Sequence, residues 1–166
     1  MSQKKVLYVG AGGEHFVASE FLINGWNIAS PEVDVGTDTF VVDDLTGAGV
    51  SCRIQIKTTF AKQKKKGFSF GINLKSTHLM SPTSQKMFYA FPVRLADNTG
   101  WLGIFYIFQD DLLRLIGKYK TVIAGVNLRV LFTIADDRTT IFYKKENVSH
   151  CWNRKGFSTN WKTLSH

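Results

Sequence analysis

One segment constrains this chain more than any other: Ser51-Cys52-Arg53-Ile54-Gln55-Ile56-Lys57. Successive side chains of a strand leave opposite faces. Cys52, Ile54 and Ile56 therefore point together into a core, and Arg53, Gln55 and Lys57 point together the other way. A central strand covered on both faces reads as an unbroken apolar run. Two readings follow for three long polar residues on one face: the strand is half exposed, or its polar face is a site.

The neighbouring segments decide what this strand joins. Phe16, Val17, Phe21 and Leu22 recur at helical spacing between Glu14 and Asn24, and Gly25 is placed to end that helix. Trp26 to Ala29 reads as a short strand, and Thr37 to Val42 as a second. Asp43-Asp44 with Gly47 and Gly49 turns the chain into a third strand, Ser51 to Thr59. A helix followed by strands that meet through a tight turn predicts a sheet with a helix packed on it. Further strands are expected over Phe68–Asn73, Met87–Leu95 and Trp101–Phe108. An amphipathic helix is expected over Gln109–Tyr119, and a last hairpin over Leu128–Ile134 and Thr139–Tyr143. The tail from Asn147 carries Trp152, Phe157 and Trp161 without a readable period; core packing suits Trp152 and Trp161 better than base stacking.

Composition bounds the class. The 166 residues fit one domain, 1–166, with 44% hydrophobic and 20% charged residues, a globular balance that excludes disorder. The net charge of +8 and a pI near 9.6 favour polyanionic partners, nucleic acid first and anionic membranes second. Cys52 and Cys151 lack the Cys-x-x-Cys spacing of a metal knuckle and are expected to be free thiols in a reducing cytoplasm. Val6–Val9 is too short for a signal peptide's apolar region, and no run of about 18 apolar residues exists to span a bilayer.

The chemistry-bearing residues cluster early. If the strands flanking the turn form a hairpin, Asp38 lies near the Gln55–Lys57 end of its partner. A carboxylate, an amide oxygen and a backbone carbonyl together suit a hard divalent ion such as Mg²⁺. A neighbouring lysine positions water or steadies charge on a phosphate. Glu14 would add a second carboxylate from the helix.

Gly12-Gly13-Glu14 opening a helix, then Gly25-Trp26-Asn27-Ile28, Pro31 to Asp38, and Ile54-Gln55-Ile56-Lys57-Thr58-Thr59 together resemble the PD-(D/E)xK nuclease superfamily, in its restriction-endonuclease-like and Holliday-junction-resolvase-like branches. The resemblance covers residues 10 to 60. It implies an α/β (α+β) fold with a restriction-endonuclease-like core: a central mixed β-sheet flanked by helices, carrying additional sheet and a C-terminal extension over 68–166. It implies a Mg²⁺- or Mn²⁺-dependent endonuclease acting on DNA, with Asp38 as central metal ligand and Glu14 as helix carboxylate. Gln55 stands where the family usually has Glu or Asp, and Lys57 is the motif lysine. The glutamine keeps an oxygen acceptor and loses a negative charge. A homodimer would suit cutting of both strands.

Two alternatives stay open. One is a catalytically inactive module of the same fold that binds nucleic acid or a protein. The other is a dinucleotide-binding oxidoreductase, since Val6–Val9 followed by Gly10-Ala11-Gly12-Gly13 resembles a strand, glycine turn and helix. There, Glu32 or Asp34 would reach the ribose; His15 at the third glycine position counts against it. Elsewhere, Asp34 is a turn residue beside Gly36 or a further site carboxylate, and Glu20 falls on another helix face from Glu14. His15, His78, His150 and His166 show no ligand spacing.

The lysines at 62–66 read as a flexible loop just past the candidate site, either solvated or gripping phosphates. Replacing Lys62, Lys64, Lys65 and Lys66 by Gln is expected to weaken DNA binding alike for all sequences and to flatten its salt dependence. Each exposed substitution costs folding under about 0.5 kcal/mol. Binding measured across a salt series decides it. A slope equal to wild type would place the phosphate-gripping surface elsewhere, for example at Lys144, Lys145, Arg154 and Lys155.

Overall fold

The computed structural model describes residues 3–31, 38–43, 49–80, 87–97, 99–119 and 127–152. Helix α1 spans Gln3–Ile23, followed by strands β1 (Asn27–Ala29), β2 (Thr39–Asp43), β3 (Gly49–Ile56), β4 (Thr59–Gln63) and β5 (Phe68–Lys75). Then come α2 (Ser76–Met80), β6 (Met87–Leu95), β7 (Trp101–Phe108), α3 (Gln109–Lys118), β8 (Asn127–Ile134), β9 (Ile141–Tyr143), β10 (Glu146–Asn147) and a 3₁₀ turn over Ser149–Cys151. All the strands belong to one mixed sheet. It runs β1-β2-β3-β6-β4-β5-β8-β9-β10, with β7 paired to the other edge of β6.

The expected hairpin forms: β2 and β3 are antiparallel, with Thr39 opposite Ile54 and Val41 opposite Cys52. The amphipathic helix, the β6–β7 pair and the hairpin across Asp136-Asp137 also form where the sequence placed them. Asp137 closes that last turn by accepting hydrogen bonds from the backbone of Thr139 and Thr140. Both cysteines are buried and unbridged, and Trp152 packs into the core, where it bridges to Phe105. Trp161 lies outside the described residues.

Three expectations are corrected, and the start of the tail, which carried none, is resolved. The first helix begins at Gln3 rather than Glu14 and carries Gly10, Gly12 and Gly13 in its interior. That removes the dinucleotide-binding alternative, because no strand and glycine turn precede the helix. The Ser51–Thr59 strand is broken in two, as β3 and β4. The lysines at 62–66 are a loop only in part: Lys62 and Gln63 pair with Ser69 and Phe68, and Lys64 to Gly67 make a tight turn in which Lys64 N–H donates to the Gly67 carbonyl. The tail forms β10 and the 3₁₀ turn before Trp152.

Proline explains the broken strand. β3 and β4 both run parallel to β6 in one continuous register, Ile56 opposite Ala90 and Thr59 opposite Val93. The step between them sets Thr58 opposite Pro92. Lys57 N–H donates to the Ala90 carbonyl at 3.0 Å, so alternate β6 residues turn their hydrogen-bonding groups toward β3. Pro92 is next in that alternation and has no N–H to give. The ladder lapses at Lys57-Thr58 and resumes at Thr59.

Helix α1 docks on this break. Val17 and Phe21 are fully buried against Val41, Cys52, Ile54, Ile56, Phe88, Ala90, Ile104 and Tyr106. Full burial of side chains of this kind contributes about 1.5–3 kcal/mol each, enough to hold a helix that three glycines disfavour. The helix ends at Gly25, φ +83°, with Trp26 N–H donating to the Phe21 carbonyl and Gly25 N–H to that of Leu22. This is the Schellman pattern, which needs a left-handed residue. The opposite sheet face is covered by α3 and a second core containing Tyr89, Phe91, Phe105, Leu112, Ile116 and Phe132.

Gly13 sets the docking distance. A Cβ there would collide with Thr58 Oγ1 and lie 2.9 Å from Pro92 Cγ, whereas one at Gly12 meets nothing closer than Trp101 at 3.9 Å. Gly13→Ala is expected to destabilise the fold by about 1–3 kcal/mol through overpacking. Gly12→Ala is expected to be neutral or stabilising by up to about 1 kcal/mol, the ordinary helical gain. Thermal unfolding of the two variants side by side checks the contrast.

Candidate active site

The break in β3–β4 coincides with a fork on the strand's other edge. The β2 ladder ends at Thr39–Ile54, and the β5 ladder begins at Ala61–Phe70. Among the described residues no strand pairs with the edge between them. Into this opening Asp38 sends its carboxylate. Its N–H donates to the Ile54 carbonyl at 3.0 Å, and its Oδ2 accepts from Ile56 N–H at 2.6 Å. The carboxylate is thus pinned beside the one residue that separates Gln55 from Lys57. The Ile56 carbonyl faces the same edge as the Ile56 N–H.

Gln55 and Lys57 share a face, since Ile54 and Ile56 occupy the α1 side and Thr58 Oγ1 reaches the Gly10 carbonyl of α1 at 3.5 Å. Gln55 is 4% exposed, and its Oε1 is buried with no hydrogen-bond partner among the described residues. Such an orphaned acceptor costs about 1–3 kcal/mol. Its register neighbour Tyr89 is in the same condition: the hydroxyl is buried and unpartnered, and desolvation pushes its pKa up to about 12. Lys57 makes no ion pair among the described residues, where the pairs are Arg114–Asp111 and Lys118–Glu146.

Glu14 arrives from the helix side, one residue beyond the Gly13 contact. Its carboxyl is held above the usual range, first by partial dehydration and then by repulsion from Asp38, against a smaller opposing pull from His15. Two of the residues singled out in the sequence, Glu14 and Asp38, are close enough to repel, and Asp38 is hydrogen-bonded to Ile56, the residue between Gln55 and Lys57. Among the described residues no cluster of three or more His, Cys, Asp and Glu exists. Any ion here would rest on two carboxylates, the Gln55 oxygen and backbone carbonyl. Asp34 and Glu32 lie outside the described residues.

Beside the opening lies a cleft of about 400 Å³, lined by Lys57, Thr58, Phe60, Gly71, Asn73 and, from α1, Gly10. Thr59 Oγ1 donates to the Gly71 carbonyl at 2.6 Å and ties β5 to the far wall. Sequence reasoning missed Pro92, Gly13, Tyr89 and the β5 wall. The proline inside the Met87–Leu95 run was the available signal.

No family model matches the chain, and no curated protein matches it. Among solved structures, a bacterial homing endonuclease, I-Ssp6803I, superposes with a TM-score of 0.55 at 14% identity, covering 100% of this chain and 98% of that one. At that identity the likeness is one of fold. No helix is long and apolar enough to cross a membrane among the described residues.

The carboxylate pair sets a pH-dependent cost. A carboxyl raised in the folded state is destabilising once it ionises, and harmless while it is protonated in both states. Glu14→Gln is expected to raise the thermal midpoint at neutral pH. The gain should shrink as pH falls toward the unfolded-state value of 4.5 and vanish below it. Melting curves of both proteins across pH 3–8 measure this.

Proposed function

We propose that the chain is a metal-dependent DNA endonuclease of the PD-(D/E)xK type, hydrolysing phosphodiester bonds at Glu14, Asp38, Gln55 and Lys57. The observation that carries the reading is the orphaned, buried oxygen of Gln55, on the strand to which Asp38 is pinned through Ile54 and Ile56. A buried acceptor without a donor, and two carboxylates that repel, are each conditions a cation relieves. The donor set is all oxygen, which suits Mg²⁺ or Mn²⁺. The full-length fold match to a homing endonuclease supports the same class.

The residues divide the work. Asp38, Gln55 and Glu14 would hold the ion, and the Ile56 carbonyl faces the same opening. The bound ion would supply Lewis-acid polarisation of the phosphate. Asp38 is kept in place by two backbone hydrogen bonds, so little reorganisation is needed when substrate arrives. Lys57 shares the Gln55 face and opens on the cleft, where its ammonium orients the attacking water and steadies charge growing on the phosphate. The net charge of +8 draws the polyanion in, and the lysines at 62, 64, 65 and 66 add phosphate contacts. Two copies acting as a homodimer would cut both strands.

The missing third acid favours a second reading, a binding module without catalysis, and one pair of variants separates the two. Asp38→Ala should reduce Mg²⁺-dependent nicking of plasmid DNA to background while the melting curve stays cooperative. Gln55→Glu should lower the Mg²⁺ concentration for half-maximal nicking, because an added charge tightens a hard-cation site. Nicking by Asp38→Ala at the wild-type rate would remove the site assignment. DNA binding by wild type without nicking in either ion would favour the binding module.

A further inference from the structure

The β5–β8 pair leaves the sheet in an unusual way. Its eight-residue register runs from Phe68–Ile134 to Lys75–Asn127. Strand β4 accompanies β5 only from Phe68 to Phe70, and β9 accompanies β8 only at Thr133 and Ile134. The last five pairs, Gly71–Leu131 to Lys75–Asn127, therefore form a two-stranded ribbon with no further described strand on either edge.

The two faces of this ribbon differ in chemistry. Ile72, Leu74, Leu128 and Val130 are buried in the core, each at most 3% exposed. Asn73, Lys75, Asn127, Arg129 and Leu131 are exposed on the other face. That face holds no carboxylate. Leu131 is 57% exposed, one of the few large apolar side chains left in water. Gly71 keeps the base of the ribbon low, and the Arg129 guanidinium folds into that space: a Cβ at Gly71 would lie 3.1 Å from its Nε. Gly71 and Asn73 also line the cleft with Lys57.

We infer that this ribbon is a sequence-reading element that lies in the major groove of duplex DNA, with Arg129, Asn73 and Leu131 contacting base edges next to the scissile phosphate. The inference rests on the nuclease reading for its choice of DNA. The major groove, about 12 Å wide, admits a two-stranded ribbon. The side chains match its code: Arg pairs with guanine, Asn with adenine, and an apolar group with the thymine methyl. Lys75 adds a phosphate contact that fixes position. Strand residues rise about 3.4 Å each, as base steps do, so five pairs span roughly four or five base pairs. Thr59's bond to the Gly71 carbonyl joins the reading face to the strand that carries Lys57.

The test is selection of bound duplexes from a random-sequence library in EDTA, where no cleavage is needed. It is run with wild type, Arg129→Ala, Asn73→Ala and Leu131→Ala, all exposed sites, with matched melting curves as the folding check. Wild type should enrich a motif. Each variant should lose preference within one contiguous block of about four or five base pairs, by roughly tenfold or more per contact. Duplex RNA should compete poorly, because its deep, narrow major groove excludes a ribbon. Equal motifs in wild type and variants, no enrichment by wild type, or equal competition by duplex RNA would each overturn the inference. Variant-sensitive selection without Mg²⁺-dependent nicking would sustain the ribbon and remove the nuclease reading. Nicking with variant-insensitive selection would do the reverse.

Discussion

The contact among Gly13, Thr58 and Pro92 is the constraint on which the rest depends. Pro92 withholds one backbone donor, and the long strand that would otherwise run from β3 through β4 loosens by one step. The helix then enters closely enough that only a glycine fits at position 13. Because the ladder lapses at Lys57-Thr58, β2 and β5 need not meet on the strand's other edge. The fork they leave is the opening that Asp38 and Glu14 border. With an ordinary residue at position 92 the β6 ladder could run unbroken past Lys57-Thr58, since each closed backbone pair satisfies a polar group.

The stability bookkeeping of the opening runs against its polar groups. The Gln55 and Tyr89 oxygens are both buried without donors, and Glu14 and Asp38 repel. Around them sit two apolar clusters whose members are almost all under a tenth exposed. Local cost tolerated within a strongly packed scaffold is the pattern of a site kept ready for a ligand rather than one optimised for the empty chain. Relief by a cation and relief by mutation should therefore be alternatives, with the stabilising change at Glu14 removing a charge that the proposed site would use.

What the sequence revealed divides by range. The alternation in Ser51–Lys57 displayed the polar face. Gly25 marked a helix end, and local turn chemistry placed the β2–β3 and β8–β9 hairpins. These are signals carried within ten or so residues. The parallel pairing of β3 and β4 with β6 joins segments some thirty residues apart, and no local pattern records it. The early helix start was hidden for the opposite reason. Gly10, Gly12 and Gly13 look like a turn by propensity, and tertiary packing of Val17 and Phe21 overrides it. The lysine run looked like a loop because charge suggests solvation, yet its first residues complete a ladder with Ser69 and Phe68. The nearness of Glu14 to Asp38, and of Asp38 to the strand that carries Gln55, joins segments far apart in sequence, and only the resemblance they carry together suggested it.

Strand β5 then gives the fold a second use for its fork. At Phe68–Phe70 it is an ordinary inner strand between β4 and β8. From Gly71 onward no described strand pairs with its β4-side edge. The edge beside Asp38 and the free edge of the β5–β8 ribbon thus flank the same short stretch between the β2 and β5 ladders. Gly71 lies where the two consequences meet, held by Thr59 on the site side and overlain by Arg129 on the ribbon side. The proposed chemistry and recognition would then be coupled through the strands on either side of the Gly71 carbonyl rather than by a mobile loop, and sites built on strands hold their geometry better than sites built on loops. A base contact made by Arg129 would therefore set the distance from the read sequence to Lys57, so that the place of cutting follows from strand register.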